Sequence, residues 1–274
     1  MPATLEAAAL TDSYRRRLIV LRDTSAATVV RLLDSIDLDG DVDGQVSAWI
    51  DTATLLLSSA QVEAARAAVQ YLAAYVTASG STPARGVVDP ADYRGMRLFG
   101  RPLDVALSAA PATLLWRLGR SDGRGLAVAS GLAQAMRVAR SAVMAAGRGA
   151  QSDVMDADPS VSGWRRVTSS DPCGACMGAA DGRVMRSDAG LEVHDSCRCT
   201  AEAVLSGVDN DRLRRPTGQE LFDRLDRDGQ NAMFEGRGGA DKAEVVRREG
   251  VGTLIDVRSG RLTETSMSDL PDVA

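Results

Sequence analysis

Apolar residues recur at steps of three and four over most of the first 150 positions, the period of amphipathic helices rather than strands. Between Leu5 and Ile36, Tyr14, Leu18, Leu21, Val29, Leu32 and Ile36 fall on or near one face. Arg15, Arg16, Arg22, Arg31 and Asp34 dress the remainder. The run Asp39-Gly40-Asp41 ends this segment in a turn. A cleaner stripe follows from Val46 to Thr77, through Trp49, Ala53, Leu56, Ala60, Ala64, Ala67, Tyr71 and Ala74. Two long helices joined by a short acidic turn predict an antiparallel hairpin, its small alanines allowing close approach. Ser79 to Pro83 breaks the pattern, and residues 84 to 101 read as an irregular connection. Helical spacing resumes near Pro102, with a kink or restart expected at Pro111. A further helix is predicted from Arg124 to Ala146. Its face is marked by Leu126, Ala129, Ala133, Met136, Arg140 and Val143, and its end by Gly147 and Gly149.

Beyond residue 150 the texture changes. Gly163 to Thr168 reads as a short strand, with Arg183 to Met185 and Cys199 to Leu205 as its pairing partners. Thr217, after Pro216, precedes a helix containing Leu221, Phe222 and Leu225; another covers Ala240 to Arg248. Gly250 to Arg258 adds a candidate strand, and the acidic tail reads as loose. The fold class this predicts is α+β, mainly α. A helical domain of residues 1–150 precedes a small zinc-ribbon-like domain of 151–210 and a C-terminal helical and irregular segment of 211–274.

Composition narrows the picture. Apolar residues make up 45% of the 274, yet aromatics only 4%. Alanine and leucine must therefore build the core, which suits closely packed helices and suits a β-sandwich poorly. The net charge of -5 argues against a globally basic nucleic-acid-binding domain. No apolar run approaches the roughly 20 residues that span a bilayer, so no membrane partner is expected. The first residues lack the pattern of a signal peptide, which predicts synthesis in a reducing cytoplasm.

The chemistry is concentrated in one place. All four cysteines fall within 27 residues, and the sole histidine lies among them: Cys173-Gly-Ala-Cys176, seventeen residues, then His194-Asp-Ser-Cys197-Arg-Cys199. A Cys-x-x-Cys turn delivers two thiolates to one corner of a tetrahedral zinc site. A second turn on His194 to Cys199 delivers the others, and Asp181-Gly182 and Gly190 let the intervening loop reverse. Five candidates compete for four positions. Cys173 and Cys176 are the firmest, and His194 with one of Cys197 and Cys199 is favoured for the rest. Strand alternation points both of those cysteines to the same side, so the sequence does not choose between them. Disulfides are disfavoured without secretion. Pro172-Cys173-Gly-Ala-Cys176 matches half of the zinc-deaminase signature, but no histidine precedes it. With more ligands than positions, the zinc is expected to be structural.

The arrangement Gly163-Trp164-Arg165-Arg166-Val167, Cys-x-x-Cys, Asp181-Gly182-Arg183-Val184 and His194-x-x-Cys197-Arg198-Cys199 resembles the domain of phage Mu F-like minor head (head morphogenesis) proteins, of the actinobacteriophage type. The specific part spans about residues 120 to 205, and Asp195 stands where a proline often follows the histidine. The resemblance implies a protein made in the host cytoplasm and carried in few copies in the procapsid and virion interior. Its implied partners are the portal protein, the major capsid and scaffolding proteins, and packaged DNA. It also implies that Cys173, Cys176, His194, Cys197 and Cys199 occupy the family motif.

Two other functions compete. A capsid maturation protease would need a general base, but His194 is claimed by the metal. A Ser-Lys dyad would have to use Lys242, the only lysine, placed in a polar helix. Asp51-Thr52-Ala53 resembles an aspartic-protease tripeptide yet lies inside the strongest helical stripe. A DNA-binding virion protein would use Arg15-Arg16-Arg17, Arg212 with Arg214-Arg215, and Arg247-Arg248. Such clusters more often form solvated faces or ion pairs, and stacking aromatics are scarce.

Overall fold

The computed structural model describes residues 5–84, 86, 88–169, 172, 174–191, 197–208, 215–234, 239–258 and 261–264. Four long helices come first: α1 (Leu5–Asp34), α2 (Val42–Ala78), α3 (Leu103–Gly119) and α4 (Arg124–Ala157). There follow β1 (Val161–Val167), α5 (Gly174–Gly178), β2 (Met185–Arg186), β3 (Thr200–Leu205), α6 (Gly218–Asp223), α7 (Arg227–Ala232), α8 (Gly239–Glu249), β4 (Ile255–Arg258) and β5 (Arg261–Glu264). The class is α+β and mainly α, as the pattern predicts. Two compact units emerge: Asp12–Ala73 with Ala84–Val154, and Met1–Thr11 with Ala74–Pro83 and Met155–Ala274. Neither follows a single cut in the chain.

In the first, helical unit, α1 and α2 run antiparallel. Trp49 Nε1 donates to the Val29 carbonyl at 3.1 Å, while Tyr14 stacks on Tyr71 with ring centroids 4.7 Å apart. The buried stripe of α1 is Tyr14, Leu18, Arg22, Ala26, Val29 and Leu33. Arg22, read from the sequence as part of the polar face, is 1% exposed. It sits four residues after Leu18, so helical geometry turns it inward, and its guanidinium grips Asp23 at 3.0 and 2.9 Å. Asp23 also accepts from Arg140 of α4 at 3.0 Å. A buried charge is tolerated because its carboxylate is that close.

Alanine makes helix phase ambiguous, and two stripes are corrected accordingly. On α2 the buried leucine is Leu57, not Leu56, and Tyr75 takes the place given to Ala74. On α4 the buried face is Ala127, Gly131, Ala135, Val138 and Ala142, whereas Leu126, Ala129 and Ala133 are exposed. Nor does α4 end at Gly147 and Gly149. It continues to Ala157, because these glycines serve packing rather than termination. A Cβ on Gly147 would lie 2.8 Å from Leu18 Cδ2, and the Tyr14 hydroxyl donates to the Gly147 carbonyl at 2.9 Å. Likewise α3 runs through Pro111 without restarting; the ring is buried on the face that carries Leu107 and Leu114.

The second unit contains the sheet. Its order is β2-β1-β3, all antiparallel, and its strands fall where the sequence places them. Trp164 pairs with Met185 and Ala203, and Arg165 pairs with Glu202. Tyr75 donates its hydroxyl to the Ala203 carbonyl at 2.9 Å. Beside the sheet, Met177, Phe222, Phe234, Ala243, Val246 and Val251 form a small core drawn from α5, α6 and α8 and the segments around them. The C-terminal strand expectation is refined: a 3-10 turn at Val251–Leu254 leads into β4, which pairs with β5. The predicted loose tail after Glu264 lies outside the described residues.

Candidate metal centre

Two short segments bring the thiols together. Cys176 lies on α5, whose next residue, Met177, is buried in the core that includes Phe222 and Phe234. Cys197 and Cys199 lie just before β3, which is pinned to β1 from Thr200 to Leu205. The turn after α5 closes tightly, the Gly218 amide donating to the Ala180 carbonyl at 2.6 Å. A side chain on Gly218 would place Cβ 1.9 Å from the Met177 carbonyl oxygen, so glycine alone permits this approach. Thr217 caps α6 in a reciprocal capping box with Glu220. The loop between α5 and β3 reverses at Asp181-Gly182, where the Arg183 amide donates to Asp181 Oδ1 at 3.0 Å and Gly182 takes a φ of 80°. Its far end is held by Trp164 Nε1, which donates to the Ala189 carbonyl at 2.7 Å.

The Sγ atoms of Cys176, Cys197 and Cys199 all lie within 4.8 Å of one another, and each cysteine is at most 3% exposed. Cys176 Sγ is 3.5 Å from Cys197 Sγ, and the Cys199 amide donates to Cys197 Sγ at 3.4 Å. No disulfide joins any two of them. Three buried cysteines are thus close enough to hold a metal ion. With metal–sulfur bonds of about 2.3 Å, the sulfurs of a tetrahedral site stand ~3.8 Å apart, close to the spacing found. The hydrogen bond with Cys176 lowers the pKa of the Cys199 thiol. The bond with Cys197 and burial outweigh it, and the thiol is pushed up to about 12. A cation at the centre of the three sulfurs would reverse that balance, since a coordinated thiol is deprotonated.

The sequence argument favoured His194 with one of the two later cysteines; the structure gathers both cysteines against Cys176. Cys173 and His194 lie outside the described residues.

A charged cluster that sequence reasoning missed adjoins the thiols. Glu202 of β3 is 0% exposed and accepts from Arg165 of β1 at 2.9 Å. It also accepts from Arg215 at 3.0 and 2.7 Å, and Arg215 donates to the Ala8 carbonyl at 2.9 Å. The cue in the sequence was a glutamate within Thr200-Ala-Glu-Ala-Val-Leu, an otherwise buried strand.

The other candidates fall elsewhere. Lys242 is not on a polar face: it is buried on α8, its ammonium 5.7 Å from the Phe234 ring centroid. Asp51 is exposed in the interior of α2. Arg247 pairs with Glu244 at 2.8 Å, and Arg248 with Glu249 at 3.0 Å. Arg212 and Arg214 lie outside the described residues. No helix among the described residues is long and apolar enough to cross a membrane.

Comparison of the chain with family models, with curated proteins and with solved structures gives no match.

Proposed function

We propose that the three thiols belong to a structural zinc site and that the chain acts as a phage minor head protein of the Mu F-like kind. On this reading it assembles in the procapsid beside the portal, with capsid and scaffolding proteins and packaged DNA as neighbours. The observation that carries the reading is the convergence of the motif segments. Gly163 to Val167, Met185-Arg186 and Thr200 to Leu205 become one sheet, with Cys176, Cys197 and Cys199 gathered at its margin. Thiolates are the donors zinc favours, and a buried centre leaves little room for the open position that catalysis requires. Cys173, three residues before Cys176, is the proposed fourth ligand, so that the set is four sulfurs and His194 is left over.

Two measurements test the two halves. X-ray absorption at the zinc edge of the purified protein should give four sulfur neighbours; three sulfurs and one nitrogen would assign the fourth position to His194. Absence of bound metal would end the zinc reading. For the role, the chain is co-expressed with the portal and major capsid proteins of the same genome, and every chain in purified particles is weighed by intact mass. Retention with portal, with the capsid protein uncut, supports the minor head role. Capsid protein shortened only when this chain is present would favour the maturation protease instead.

A further inference from the structure

The sheet unit holds a second feature that the metal centre does not use. A cavity of about 240 Å³ lies beside β1, lined by Arg165, Arg166, Val184, Arg215 and Thr217 among others. Its existence follows from the sheet. β2 pairs only with Gly163 and Trp164, so that edge of β1 has no strand partner from Arg165 onward among the described residues. The Ala180–Gly182 turn and the Arg215–Thr217 segment wall the space instead.

Three guanidinium groups are therefore brought to one small cavity from two directions in the chain. Two of them are fixed in place: the buried Glu202 carboxylate grips Arg165 and Arg215 from behind, at 2.9 and 2.7 Å. Asp181, the acidic residue of the lining, is occupied by the Arg183 amide and guanidinium. Arg166 reaches electrostatically toward Cys199 as well, so its charge is shared between the cavity and the thiols. Among the described residues, three arginines against the single carboxylate of Glu202 make the local field positive. Guanidinium forks match phosphate and carboxylate oxygens, and pre-positioned ones lose little entropy on binding. Three forks suit a tetrahedral group better than a planar carboxylate, which one or two would saturate. The volume falls below the usual range of small-molecule pockets, so it suits an isolated phosphoryl group rather than a whole nucleotide.

We propose that this cavity is an oxyanion site for a phosphoryl group. The proposal does not depend on the identity of the metal. It is tested by titrating inorganic phosphate into the full-length, metal-loaded protein in a calorimeter, in chloride buffer, with acetate as the planar control. Saturable binding at or below about 1 mM is expected, with acetate weaker. Arg166→Gln, which leaves the Glu202 pairs intact, should weaken phosphate binding about tenfold or more. Val184→Trp should obstruct the cavity with no change of charge; Val184 is 56% exposed, so the substitution leaves the core alone. Metal content measured on the same samples separates loss of the anion site from loss of the thiol centre. Methyl phosphate and dimethyl phosphate distinguish the sources: a terminal phosphate should compete as the monoester alone, a nucleic-acid backbone as both. No saturable binding, equal binding of acetate, or unchanged affinity in both variants would overturn the proposal.

Discussion

The two units solve the problem of a small core in opposite ways. The helical unit is built from repetition. Ala53, Ala60, Ala64, Ala67 and Ala68 of α2, and Ala135, Ala139, Ala142 and Ala146 of α4, are all buried, and each adds a small increment of apolar area. The sheet unit is built from few, strong and mutually dependent contacts. A three-stranded sheet with a two-residue β2 buries little on its own. What it encloses is three thiols, a carboxylate with two guanidiniums, and the only lysine of the chain. Small apolar increments tolerate substitution, because neighbours share the loss. A buried ionic or thiolate cluster does not, because removing one member leaves the others desolvated and uncompensated.

Metal removal should expose this contrast most strongly. Zinc-finger peptides draw apparent stabilisation of roughly 10–16 kcal/mol from their metal, an upper bound for a centre set in a larger fold. Stripping the metal with a chelator and following amide exchange by mass spectrometry should collapse protection from Val161 to Leu205. Peptides of α2 from Trp49 to Leu72 should keep theirs. Sheet peptides that stay protected in fully metal-free protein would show that the thiols are ordinary core residues.

Glu202→Gln comes next. The substitution preserves shape but leaves Arg165 and Arg215 without their shared counter-charge in a buried place. Breaking a buried ion pair in this way costs about 3–5 kcal/mol. Denaturant unfolding of the variant should lower the midpoint of the transition reported by Trp164, and much less that reported by Trp49. An effect below about 1 kcal/mol would mean that water reaches this network, contrary to its burial, and that it behaves as surface pairs do.

How much of this was legible follows the same division. The strands and the thiol cluster were readable because their signals are local. Short β-branched and aromatic runs stand between turn residues, and a Cys-x-x-Cys faces a Cys-x-Cys across a loop. Thr217 after Pro216 marked the start of α6 for the same reason. The Glu202 network was not readable, since its members sit at positions 165, 202 and 215 and only strand register aligns the first two. Helices existed where expected, but their phase was unreliable. Where alanine fills every face, the hydrophobic period has no clear maximum, so Leu56 was preferred to Leu57 and Arg22 was turned outward. Gly147 was misread because glycine signals both a helix end and a close crossing, and only the presence of Leu18 opposite distinguishes them.

The phase of α2 yields the smallest of the three effects and the sharpest test of the repetitive core. Leu57 is 0% exposed and Leu56 40%. Truncating a fully buried leucine to alanine removes its transfer free energy and leaves a cavity, typically 2–5 kcal/mol. Here the low end, about 2 kcal/mol, is expected, because the surrounding alanines offer little bulk to lose contact with. Leu56→Ala should change stability by no more than roughly 0.5 kcal/mol, since alanine also has the higher helix propensity. Urea titrations of the two single variants, read through Trp49, decide it. Equal losses at both positions would place the α2 stripe between the two leucines. The helical unit would then be packed through a broad alanine face rather than a defined seam. A loss at Leu57 alone fixes the seam through Trp49, Ala53, Leu57, Ala60 and Ala64, four residues or three at each step, as close helix packing requires.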